Sequence, residues 1–142
     1  MSNLKWINNL QTIDWNELSN LYKIAPLGDK SSELLKKVFT NSMFKYFVYD
    51  NNKLVGVGRA LADGADCSYI CDVAIHPDYQ GKGLGKEIIE RLIDDSKEHK
   101  KIILYAVPSK KPFYAKFGFS RMKTAMAIFR NQNLARSVGL VE

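Results

Sequence analysis

Residues 80–85 read Gln-Gly-Lys-Gly-Leu-Gly, and no other stretch restricts the fold as tightly. Glycines at three alternating positions let successive backbone N–H groups turn toward one point, a path that residues bearing a Cβ follow only with strain. The flanks give the loop its meaning. Upstream, residues 68–75 are apolar on both faces, as a buried central strand is, and Pro77 ends the run. Downstream, Ile88, Ile89, Leu92 and Ile93 recur at helical spacing from about Gly83. A helix that starts from such a loop aims its unpaired N–H groups and partial positive charge at it, which suits a pyrophosphate. Lys82 and Lys86 either add charge there or are solvated lysines. A Walker loop is excluded, since no lysine follows the required glycine spacing with Ser or Thr after it. A dinucleotide fingerprint fails because position 86 is Lys and the β-α-β unit comes late.

The elements around the loop follow from local pattern. A strand over residues 5–8 leads to a helix capped by Asp14, with Trp15, Leu18, Leu21 and Tyr22 at helical spacing. A second helix runs from Ser31 or Ser32 to Phe39, after the breaker cluster Ala25-Pro26-Leu27-Gly28-Asp29. Residues 43–49 and 54–61 form a hairpin about Asp50-Asn51-Asn52, and Asp63-Gly64 makes the next turn. After the loop and its helix, residues 101–107 read as a strand, giving one β-α-β crossover. A short helix over 111–117 stops at Gly118, and strands over 119–122 and 124–129 close the domain. No repeat or linker divides the chain, so residues 1–130 are expected to be one domain and 131–142 a short polar tail.

Hydrophobic residues at 46% and charged residues at 25% are globular values, and no apolar run approaches the roughly 20 residues of a membrane span. The opening MSNLKWINNL lacks the pattern of an export signal, so a cytoplasmic location is the default expectation. Cys67 and Cys71 on one strand would stand about 13 Å apart, beyond disulfide reach, and are expected to be reduced. With only His76 and His99 besides, no spacing resembles a metal site, and no metal is expected. The net charge of +6 suits polyanions, yet Lys100, Lys101, Lys110, Lys111 and Lys116 lack the aromatic interleaving of a nucleic-acid platform. A phosphate-bearing small ligand uses such charge equally well.

Val73-Ala74-Ile75-His76-Pro77-Asp78-Tyr79, followed by the glycine loop, resembles the acetyl-CoA-binding motif of the GNAT superfamily of N-acetyltransferases. Phe113-Tyr114-Ala115-Lys116-Phe117-Gly118-Phe119 is similar to that superfamily's second conserved segment. The resemblance implies an α/β fold: a mixed, mostly antiparallel sheet of six to seven strands, a central parallel pair that splays apart, and about four helices. It implies acetyl-CoA as cosubstrate. Main-chain groups of Val73 and Ile75 would hold the pantetheine arm, and Gln80, Gly81, Lys82, Gly83, Leu84, Gly85 and Lys86 the pyrophosphate. Where many members carry an asparagine this chain has Val107, and Ser109 is a candidate substitute.

Acetyl transfer to an amine poses two proton problems. An alkylamine of pKa about 10.4 is neutral at pH 7 in about one molecule in 2,500, a deficit of roughly 4.6 kcal/mol that a base, a water chain or a desolvating pocket must offset. The departing thiolate needs a proton or a hydrogen bond, and Tyr114, at the matching position, is the candidate acid. Asp72, a carboxylate in the middle of an apolar strand, is the leading candidate base or else a structural hydrogen-bonding group. His76 and a water relay from Tyr105 are further candidates. Direct attack in a ternary complex is expected, with Cys71 as a buried thiol rather than a nucleophile.

Residues 58–64 and 70–73 are similar to the aralkylamine and serotonin N-acetyltransferase branch, which implies a small primary amine, an arylalkylamine or a polyamine, as acceptor. Tyr22, Phe39, Phe44 and Tyr69 either line an acceptor pocket or belong to the core. A protein lysine or N-terminal acetyltransferase and a non-catalytic acyl-CoA-binding regulator are the alternatives. The expected partner is the small-molecule amine, with no nucleic acid and no membrane, and with room for a homodimer.

Overall fold

The computed structural model describes residues 3–142, which divide into two compact units, the first ending at Leu104 and the second running Tyr105–Glu142. The first is a five-stranded sheet in the order β1 (Leu4–Ile7), β2 (Phe44–Asp50), β3 (Lys53–Ala62), β4 (Cys67–Ile75) and β5 (Lys101–Ile103). All neighbours are antiparallel except β4 and β5. Asp50 pairs with Lys53, leaving Asn51 and Asn52 at φ 47° and 69°. Two left-handed residues make the hairpin turn whose twist matches that of its strands, and asparagine accepts that conformation more readily than most side chains.

The β3–β4 turn is held by one carboxylate. Asp63 Oδ1 accepts from the N–H groups of Asp66 at 2.7 Å, Ala65 at 2.9 Å and Cys67 at 3.2 Å. The Asp66 N–H, then those of Ala65 and Cys67, lower its pKa to about 2. Because the folded value lies below the unfolded one, this contribution is present above about pH 4 and is lost as pH falls toward 2. Asp63→Ala is expected to remove that step, so acid unfolding followed by circular dichroism should be less steep between pH 4 and 2 than in the wild type.

Helices α1 (Trp15–Ile24) and α2 (Ser32–Thr40) cover one face of the sheet, and each begins at a capping side chain. Asp14 accepts from the N–H groups of Asn16 and Glu17, and Ser31 from that of Leu34. Leu18, Leu21, Tyr22, Leu35 and Phe39 bury against Phe47, Leu54, Val57 and Ala74 to form the main core. On the other face lies α3 (Leu84–Asp95), whose buried Leu84, Ile88 and Leu92 meet β3 where it carries Gly56 and Gly58. A Cβ on Gly58 would stand 2.6 Å from Ile88 Cγ2, so the helix sits this close only because the strand lacks a side chain there. At the far end of α3, the buried hydroxyls of Ser96 and Ser68 hydrogen-bond at 2.8 Å.

The second unit contains a 3₁₀ turn at Pro108–Lys110, α4 (Lys111–Ala115) and α5 (Gln132–Ser137). The sheet therefore has five strands rather than six or seven, its parallel pair lies at the sheet edge rather than centrally, and there are five α-helices among the described residues. The strand expected over 101–107 stops at Ile103, and residues 119–122 and 124–129 are not strands. Strand-forming residues record fitness for a paired, half-buried surface, and Met126 and Ile128, each 97% exposed, have no such surface. Residues 131–142, expected as a polar tail, include α5. Gln132 accepts from the Phe129 N–H at 2.7 Å and donates to the Ala127 carbonyl at 3.1 Å, and Ala135 is buried.

Candidate active site

The site in the first unit is built where β4 departs from regular geometry. Val57 pairs with Ala74 but Arg59 with Cys71, so β4 carries one extra residue, a bulge opposite Gly58. Asp72 takes up the distortion at φ 56°. Its main chain and side chain are both held: the Tyr22 hydroxyl donates to the Asp72 carbonyl at 2.6 Å, and Arg59 Nε donates to Oδ2 at 2.8 Å. Arg59 also donates to Ser42 Oγ at 3.1 Å and lies over the Phe39 ring, 5.9 Å from its centroid. Lys30 Nζ stands 3.7 Å from Asp72 Oδ1. The bulge thus rests on a cation–carboxylate network beside the core.

Beyond the bulge, β4 loses its parallel partner. Only residues 67–69 pair with β5, whereas β4 runs on to Ile75. Val73 and Ile75 direct their side chains beneath α3, close to Gly58 and Gly56 respectively, which leaves their main chain as the part available at the opened edge. A 3₁₀ turn at Pro77–Tyr79 follows, with His76 Nδ1 accepting from the Asp78 N–H at 3.1 Å and the Tyr79 hydroxyl donating to Asp50.

Gln80 anchors the glycine loop through its side-chain amide, which donates to the carbonyls of Ala25 and Ile75, both at 3.0 Å. Gly81 and Gly83 have φ 76° and 86°, and a Cβ on either would meet nothing within 4 Å. The backbone turn requires glycine while the space above it stays open. Gly83 is the N-cap of α3 and offers no side-chain cap, so the helix's first N–H groups are left without a capping side chain. Leu84, 1% exposed, anchors the helix start in the core. Gly85 has no comparable constraint, since a Cβ there would meet Ile75 at an ordinary 3.6 Å. Lys82 and Lys53 bring their ammonium groups 5.6 and 5.7 Å from the Tyr79 ring centroid, and Lys86 is exposed on the first turn of α3. Open amides, a helix start and neighbouring ammonium groups fit a pyrophosphate.

In the second unit, Tyr114 on α4 is half-buried between Phe113 and Phe119, with ring centroids 5.1 and 6.2 Å away, both edge to face. Burial raises its pKa, so the hydroxyl keeps its proton through neutral pH. Phe113 and Phe117 pack against each other at 5.2 Å. Ser109 is exposed on the 3₁₀ turn that Val107 precedes. Back in the first unit, burial pushes the Cys71 thiol up to about 11, which leaves little thiolate for nucleophilic attack. Cys67 and Cys71 are both free. Tyr22 and Phe39 are fully buried core residues, whereas Phe44 and Tyr69 are partly exposed. Among the described residues no group of three or more His, Cys, Asp or Glu is placed to hold a metal, and no helix is long and apolar enough to cross a membrane.

Sequence reasoning did not single out Arg59 or Lys30. The signal for Arg59 was present: it is a basic residue inside an apolar strand, one hairpin away from an acidic residue in the same unusual setting. Lys30 carried none, because a lysine in a polar loop is ordinary.

The fold and this glycine-loop site define the class, that of an N-acetyltransferase domain. The chain belongs to the GNAT acetyltransferase family, whose model, described as an acetyltransferase (GNAT) domain, matches residues 22–132. It is similar to the uncharacterised N-acetyltransferase ycf52 of Pyropia yezoensis, 48% identical over 116 residues that cover 73% of this chain and 67% of that protein. Over shorter stretches it resembles serotonin N-acetyltransferase 2 of Oryza sativa, 37% identical over 55% of this chain and 42% of that one. It likewise resembles histone acetyltransferase TAP1 of Glycine max, 39% identical over 49% of this chain and 31% of that one. A GNAT-family acetyltransferase structure from Streptococcus pneumoniae superposes with TM-score 0.73 at 20% identity, covering 89% of this chain and 98% of the other. The chain spans about two thirds of the length of the curated ycf52 relatives it matches.

Proposed function

We propose that this domain transfers the acetyl group of acetyl-CoA to a small primary amine by direct attack. An N–C bond forms as the C–S bond breaks, and the amine's proton leaves as the thiolate gains one. The observation that carries this reading is the pair of left-handed glycines, Gly81 and Gly83, before an uncapped helix, at the end of a strand whose parallel partner has stopped. Those amides would bind the pyrophosphate with Lys82 and Lys86, and Gln80 and Leu84 would fix the loop from behind. Gly85 would contribute backbone N–H alone. Val73 and Ile75 would meet the pantetheine arm through their main chain, and Ser109 would supply the contact that Val107 lacks. Tyr114 would donate to the leaving thiolate, and Asp72, beside the bulge, would receive the amine's proton. The likeness to a serotonin N-acetyltransferase favours an arylalkylamine or polyamine acceptor.

Thiol release from acetyl-CoA across a panel of primary amines, lysine peptides and N-terminal peptides tests the reading. Release with small amines supports it, release with peptides alone assigns a protein substrate, and ligand binding without release marks a non-catalytic regulator. Acetyl-CoA is also expected to raise the unfolding temperature, since it binds the folded chain alone. In Gly83→Val the strained φ and the side chain crowding the amides should cut that shift by more than half. A folded Gly83→Val protein with the wild-type shift would remove the loop from the argument.

A further inference from the structure

The Lys30 ammonium group stands close to both a carboxylate and a core aromatic ring. Its Nζ lies 3.7 Å from Asp72 Oδ1 and 5.6 Å from the centroid of the Tyr22 ring. The residue belongs to the loop between α1 and α2, where Ser19 Oγ donates to its carbonyl at 2.5 Å, so the backbone is fixed while the side chain reaches across to β4. A primary ammonium ion is recognised in this way, by a carboxylate on one side and a π-face on another.

The charges at this point do not balance. Asp72 supplies one negative charge to two cations, and Arg59 already takes Oδ2 at hydrogen-bond distance. Lys30 is the more loosely held, beyond hydrogen-bond reach and 24% exposed against 14% for Arg59. A partly exposed pair of that kind contributes little and gives way readily to another ammonium of the same charge. Tyr22 itself is a fully buried member of the main core, and its hydroxyl holds the Asp72 carbonyl, so it fixes the carboxylate from behind.

We propose that Asp72 is the anchor of the subsite for the acceptor's ammonium group, and that Lys30 occupies it in the free protein as a built-in competitor. The subsite selects primary alkylamines with an unbranched methylene stem like that of the lysine it replaces. As an acceptor site it rests on the proposed acetyl transfer, with Asp72 at the bulge placed to take the proton of the amine it binds.

Calorimetric titration of phenethylamine at neutral pH, without acetyl-CoA, tests the subsite directly in wild type, Lys30→Met, Lys30→Arg and the double variant Lys30→Met/Asp72→Asn. Lys30→Met should bind about two- to fivefold tighter than wild type, the fold-change that corresponds to losing a competitor held by roughly 0.4 to 1 kcal/mol. Lys30→Arg should return to the wild-type value, and the double variant should lose the gain. Asparagine tolerates the left-handed backbone at position 72, and thermal unfolding checks that each variant is folded. Equal affinity in wild type and Lys30→Met, or tight binding that survives Asp72→Asn, overturns the proposal. Should the double variant fail to fold, the Met and Arg variants alone decide it. Amine binding without acetyl transfer would overturn the proposed function and leave the subsite standing. Acetyl transfer with an amine KM that is the same in wild type and Lys30→Met would do the reverse.

Discussion

Tyr114→Phe is expected to lower the single-turnover rate of acetyl transfer by about 100- to 1000-fold, with acetyl-CoA affinity changed far less. The substitution keeps the ring that packs edge to face against Phe113 and Phe119 and deletes only the hydroxyl. One hydrogen bond aimed at charge that develops in the transition state stabilises it by roughly 2.7 to 4 kcal/mol. Burial raises the Tyr114 pKa above the usual 10, so its proton is present through neutral pH and is lost only as pH rises through that raised value. The wild-type rate should therefore show no tyrosine-dependent fall below about pH 10. Rapid-quench measurement at saturating substrates separates chemistry from product release. A folded variant with the wild-type chemical rate would assign the acid to water or to another residue.

The second large effect is on stability. Gly58→Val would place a Cβ 2.6 Å from Ile88 Cγ2, 3.2 Å from Leu92 Cδ1 and 3.3 Å from Val73 Cγ2. Ile88 Cγ2 is a branch near the backbone rather than the end of a flexible chain, so α3 itself must move. Overpacking of this kind costs about 1–3 kcal/mol, and at roughly 2–4 °C per kcal/mol the unfolding temperature should fall by about 2–12 °C. Because the start of α3 is the proposed pyrophosphate cradle, acetyl-CoA should also stabilise the variant less than it does the wild type. Ile88→Ala removes the clashing methyl and should recover part of the loss when combined with Gly58→Val, a coupling that scanning calorimetry of the double-mutant cycle would measure. An unchanged unfolding temperature in the single variant would show that the strand and helix are less tightly packed than the geometry indicates.

Between sequence and structure, the legible parts were those in which a few adjacent residues meet one backbone requirement. Asp14 and Ser31 cap the helices that their positions announce, and Asn51 and Asn52 make the hairpin turn their composition suggests. Gln80 shows the limit of such inference. Its position in the loop is plain from the sequence, but its amide is committed to the carbonyls of Ala25 and Ile75, and the first of these lies in a loop distant in sequence. Asp72 shows it again. An acidic residue in an apolar strand signals a partner without saying which, and the partner proved to be two cations from two other elements.

By itself the sequence determined the order of elements from β1 to α4, the glycine loop at a strand–helix junction and the family to which the chain belongs, because each is written in contiguous residues obeying short-range rules. Tertiary structure alone decided the rest. The bulge at Asp72 exists because β3 and β4 pair out of step, and Gly58 matters because α3 comes down on it. The ladder between β4 and β5 ends after residues 67–69, and strand-forming residues after 118 stay unpaired in any strand. Pairing register, close approach and charge balance depend on which distant segments meet, and no local pattern of residues encodes that meeting.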